Sequence, residues 1–141
     1  MKYLRFFYPY YVVLLVVLLM PMRVLAQNTW AFEQVSPAIH RLDQPVTQSF
    51  NASELPRPPA LGATLTRLYV QVRPSAGAQI DSELCTQNFS RCEPIRGGQL
   101  YTAAFQGLSA QAPLYVVHRV RHWNGTYSPI YIKVQLNMWW Q

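Results

Sequence analysis

The sequence predicts an all-β fold: a single antiparallel β-sandwich domain at residues 27–141, behind a cleaved signal peptide. Three observations point there. Apolar and polar residues alternate along short segments, and Pro or Gly breaks these segments at intervals of roughly ten residues. No stretch after residue 26 carries a sustained three-to-four-residue apolar period with helix caps.

Residues 1–26 read as a cleaved export signal, the alternative being an uncleaved N-terminal anchor. Lys2 and Arg5 supply a positive start, an apolar run follows from Tyr10 to Met20, and Val24-Leu25-Ala26 offers a cleavage site after Ala26. The run is too short for a comfortable membrane span of about 20 residues, so no membrane span is expected in the mature chain. Cleavage of the 141-residue precursor leaves 115 residues, enough for one domain with a core and too few for two. Of the 12 basic residues, Lys2, Arg5 and Arg23 leave with the signal, so nine face six acids and the mature charge is +3. That excess falls short of a nucleic-acid-binding composition.

The elements follow in order. Trp30 to Val35 and Val46 to Phe50 fit strands, and Glu54 to Gly62, with Pro56, Pro58 and Pro59, fits an extended connector. Thr64 to Arg73 alternates cleanly, with Leu68, Val70 and Val72 on one face. After a turn at Pro74, Ser75 and Gly77, a strand through Ile80, Ser82 and Leu84 leads into Cys85. Cys92 to Ile95 is a short return, and Gly97-Gly98 turns the chain into Gln99 to Phe105. Leu114 to Trp123 and Ile130 to Trp139 carry the strongest patterns. Asn124-Gly125 between them reads as a hairpin turn. Matching the apolar faces calls for an odd-length loop that pairs Val120 with Ile130, Val116 with Val134 and Leu114 with Leu136. Gly125 should then take a positive φ.

Cys85 and Cys92 are the only two cysteines. In an oxidising compartment they read as one local disulfide, in preference to a metal site, for which further ligands are missing. The chain has no Gly-x-Ser-x-Gly elbow, His-Glu-x-x-His helix or phosphate-cradling loop. His118 and His122 share a strand face in this reading, about 13 Å apart, too far for a common metal ion. His40 could in principle join one of them. A non-enzyme without metal or cofactor is therefore expected. Asn51, Asn88 and Asn124 stand in glycosylation sequons, which matter only in a eukaryotic secretory pathway. In the hairpin register, Arg119, Arg121, Trp123, Tyr127, Tyr131 and Lys133 gather on the outward face. This mix of Arg, Trp and Tyr also suits a partner-binding surface. It suits a carbohydrate platform less well.

Leu84-Cys85-Thr86-Gln87 and Arg91-Cys92-Glu93, together with Trp30, Pro113-Leu114 and the Pro129-led closing strand, form a recognisable set of motifs. On these, from Thr29 to about Gln135, the chain resembles the FlhE family of periplasmic flagellar proteins. The intercysteine spacing is two residues longer than the family pattern, and the Asn137-to-Gln141 ending differs. The resemblance implies a periplasmic accessory of flagellar assembly that binds export or axial proteins in a chaperone-like or leak-limiting role. It carries no catalytic residues over. The alternative from another class is an exported carbohydrate- or cell-wall-binding module.

Overall fold

The computed structural model describes residues 28–125 and 129–141. The signal peptide, its cleavage point and Tyr127 lie outside them. The described residues form two antiparallel four-stranded sheets. In chain order the strands are β1 (Asn28–Val35), β2 (Val46–Phe50), β3 (Leu65–Pro74) and β4 (Ala78–Thr86). They continue as β5 (Cys92–Ile95), β6 (Gln99–Thr102), β7 (Leu114–Trp123) and β8 (Ile132–Trp140). The first sheet has the order β1-β8-β3-β6, and the second has β2-β7-β4-β5. No helix among the described residues is long and apolar enough to cross a membrane.

Seven of the eight strands sit where alternation put them, within one or two residues; β6 ends at Thr102, three residues short of the expected Phe105, which lies in a turn. Leu68, Val70 and Val72 of β3 are buried, as are Val134, Leu136 and Met138 of β8 and Leu114, Val116 and Val120 of β7. These rows meet between the sheets in one core that also takes Ile39, Phe50, Phe105 and Ile130 from the connections and edges. Phe32 of the first sheet meets Phe50 of the second edge-on, with ring centroids 6.1 Å apart. Burial of these rows removes apolar surface from water at roughly 25 cal/mol per Å² and is the main stabilising force.

The expected β7–β8 hairpin is not formed. β7 pairs with β2 and β4, whereas β8 pairs with β1 and β3. The two strands lie in opposite sheets and send their apolar rows into the same core. Matching apolar phase is satisfied by face-to-face packing as well as by in-plane pairing, so phase alone does not separate the two. Gly125 does take a positive φ, +94°. The chain nevertheless passes from β7 of the second sheet to β8 of the first.

The local hairpin that does form is β4–β5. Cys85 stands opposite Cys92 in its ladder, and the two are disulfide-bonded. The pinched loop between them contains a 3-10 turn at Gln87–Phe89, where Asn88 and Phe89 both have positive φ. Such backbone is unfavourable for a side chain as bulky as Phe. The covalent closure immediately beside it supplies the constraint that holds it.

Candidate functional site

The chemistry-bearing side chains concentrate on β4 and β7, neighbours in the second sheet. On the outer face Arg119 pairs with Glu83 at 3.2 Å. A register shift between Gln79 and Ile80 makes Arg121 the extra residue of a bulge in β7. Bulges re-aim side chains, and Arg121 reaches Asp81 at 2.7 Å and Asp43 at 2.6 Å. Asp43 is held for this contact by a left-handed turn, φ 58°, and by its amide donating to Val120 O at 2.8 Å. Its hydrogen bonds to Asp81 and Asp43 push the Arg121 pKa above its ordinary value. Alongside runs an open groove of about 510 Å³, lined among others by Ile80, Glu83, Pro94, Arg96, Val117 and Arg119.

The bulge also decides where Trp123 points. Unbroken alternation would place it outward with Arg119 and Arg121. Instead it pairs with Ala78 and packs against the core. Lys133 lies on the outer face of the other sheet, bonded to Glu33 at 2.7 Å. Tyr131 is exposed in the connection before β8, its amide donating to Ser75 Oγ at 3.0 Å. The expected single face of Arg119, Arg121, Trp123, Tyr131 and Lys133 is therefore dispersed. Only Arg119 and Arg121 stay together, and both are ion-paired.

A polar cluster that sequence reasoning missed lies on the inner face of the same sheet. His118 is fully buried. Its Nδ1 is 2.7 Å from Ser82 Oγ, and its Nε2 is 2.9 Å from Gln48 Oε1. A neutral imidazole protonated at Nε2 satisfies both bonds: Ser82 Oγ donates to Nδ1, and Nε2 donates to Gln48 Oε1. Burial pushes the His118 pKa down from 6.5 to about 4, because a charged ring would lose its hydration. Gln48 Nε2 is buried with no partner among the described residues. The signal was present in the sequence, since Gln48, Ser82 and His118 each interrupt an otherwise apolar inward row. Only the pairing of β2 and β4 on either side of β7 brings the three together.

Among the described residues, one group of three potential metal ligands lies close enough to share an ion, Glu83, Cys85 and Cys92. Both thiols are consumed in the disulfide. His122 pairs with Gln79 beyond the bulge and is exposed, so it does not share the buried face of His118.

No protein-family model matches the chain, and no curated protein matches it closely. A solved crystal structure of FlhE does match in three dimensions. The TM-score is 0.65 at 16% identity, over 82% of this chain and 97% of that one. The chain therefore has an FlhE-like fold, a complete two-sheet sandwich that aligns along nearly the whole of the known structure.

Proposed function

We propose that the protein is an exported, non-catalytic accessory of the bacterial flagellum. In this reading it works in the periplasm and binds flagellar export or axial components in a chaperone-like or leak-limiting role. The observation that carries the proposal is the FlhE-like fold, which extends over 97% of the FlhE chain. The disulfide within the Leu84-to-Glu93 stretch supports it, because such bonds persist in oxidising compartments. The reading places partner contact at the groove beside Arg119 and Arg121, where ion-paired guanidiniums flank the exposed side of Pro94.

The test is deletion of the gene in the organism that carries it, followed by swimming assays and pull-down from periplasm with the tagged protein. The expected result is impaired or mistimed flagellar assembly, restored by the wild-type gene, with flagellar proteins in the eluate. Normal filaments in the deletion strain, with no flagellar protein captured, would overturn the reading. Intact-mass analysis of the native protein should show a chain starting at Gln27 with no free thiol. A precursor-only mass would remove the periplasmic location.

A further inference from the structure

The outer face of the first sheet differs in chemistry from the rest of the surface. Alternation sends every second residue of β1, β8, β3 and β6 outward. The ladder registers arrange these residues in rows across the strands. One row aligns Gln135, Gln71 and Gln99 over three adjacent strands. The next aligns Asn137, Tyr69 and Tyr101. Beyond it Trp139 stands beside Arg67, and at the other end Lys133 stands beside Arg73.

Several of these groups are held in place. Arg67 Nη1 donates to Tyr101 Oη at 3.0 Å, and Arg73 Nη2 donates to Gln71 Oε1 at 2.8 Å. The Tyr101 ring, 61% exposed, lies edge-to-face with Trp139 at 6.4 Å. Lys133 is neutralised by Glu33. Arg67 and Arg73 have neutral partners and no carboxylate partner among the described residues, so the face keeps uncompensated positive charge.

We propose that this face is a binding platform for an acidic, N-acetylated glycan strand of the kind found in bacterial cell walls. Amide side chains carry both donors and acceptors, which matches hydroxyl and acetamido groups. The exposed Tyr101 ring, with the half-buried rings of Tyr69 and Trp139 beside it, offers apolar surface to the C–H faces of sugar rings. The two arginines complement carboxylates on the strand. Rows of like side chains repeat at the strand spacing of about 4.8 Å, comparable to the width of a sugar ring. A glycan lying across β8, β3 and β6 would thus meet an amide at successive sugars along the Gln135, Gln71 and Gln99 row; the fourth member of that row, on the edge strand β1, is Glu33, whose charge is paired with Lys133. The Arg, Tyr and Trp side chains alone would also suit a protein partner; the amides of Gln71, Gln99, Gln135 and Asn137 between them are what favour the glycan. The aliphatic side chains here are Ala31 and Val35, both on the edge strand β1. The cell-wall source rests on the export reading above, but the binding itself does not.

The test is co-sedimentation of the mature, disulfide-bonded protein with purified peptidoglycan sacculi. Platform variants Tyr101→Ala and Gln71→Ala/Gln135→Ala are compared with Arg121→Ala on the opposite sheet, and the melting temperature of each is recorded. The expected result is retention of wild type and Arg121→Ala, with apparent affinity weakened about tenfold or more in both platform variants at near-unchanged melting temperature. Sacculi stripped of stem peptides by an amidase should still bind, and soluble N-acetylated sugar oligomers should compete. Wild type left in the supernatant, platform variants that sediment like wild type, or loss of binding on stripped sacculi would each overturn the assignment. Motility is not read in this assay, so its outcome is separate from that of the flagellar proposal.

Discussion

Lowering the pH should destabilise this protein through His118. In the folded chain its imidazole titrates at about 4, because burial between the sheets disfavours the charged ring. In the unfolded chain it titrates near the ordinary 6.5. Between those values the unfolded state holds a proton that the folded state refuses, so falling pH favours unfolding. The His118 contribution is fully present above pH 6.5, is lost as pH falls towards 4, and changes little below that. At 1.36 kcal/mol per pKa unit, the difference corresponds to roughly 3 kcal/mol. Against a typical domain stability of about 5–15 kcal/mol, that is a large fraction. The assay is urea unfolding of the disulfide-bonded protein, followed by tryptophan fluorescence, at pH 7, 5.5 and 4. Wild type is compared with His118→Gln, whose amide keeps polar partners for Ser82 and Gln48 but cannot titrate. Other ionisable groups titrate alike in both proteins, so the difference between the two isolates His118. The variant should be less stable at pH 7, through imperfect packing, and the gap should close by roughly 3 kcal/mol at pH 4. A gap of constant size across the three pH values would refute the reasoning.

Replacing both Cys85 and Cys92 by Ser should lower stability by roughly 2–3 kcal/mol in the same urea assay, the chain-entropy value for so short a loop. Val134→Asp should prevent folding, visible as loss of near-ultraviolet circular dichroism, because Val134 has no exposed surface and the carboxylate would find no partner there. Trp123→Ala should cost roughly 2 kcal/mol, since the bulge turns this half-buried ring onto the core; an unchanged urea midpoint would show that the ring contributes nothing there. Arg121→Ala should leave the melting temperature near wild type, because its two ion pairs are exposed, while weakening capture of flagellar partners from periplasm. Full capture at unchanged melting temperature would remove the groove as the contact surface.

Strand positions and their buried faces were legible from the sequence because they depend on local periodicity. A β-strand must send alternate residues to one side, and the apolar rows of Thr64–Arg73, Leu114–Trp123 and Ile130–Trp139 mark that side without reference to anything distant. The disulfide was legible for a similar reason, as two cysteines close in sequence can meet across one local hairpin. Which strands pair was not legible. β7 and β8 are consecutive, in phase and separated by Asn-Gly, yet they face each other across the core, because the same apolar phase serves both arrangements. The fate of Trp123 depended on one extra residue in β7, whose trace in the sequence is a single apolar ring out of phase with Val120, equally compatible with an outward-facing Trp. The Ser82–His118–Gln48 cluster and the amide and aromatic rows of the first sheet's outer face needed the complete strand order, since their members come from strands distant in sequence. Local hydrophobic pattern settled what each segment is; long-range pairing, chosen by the best joint burial of all eight strands, decided which side chains stand together.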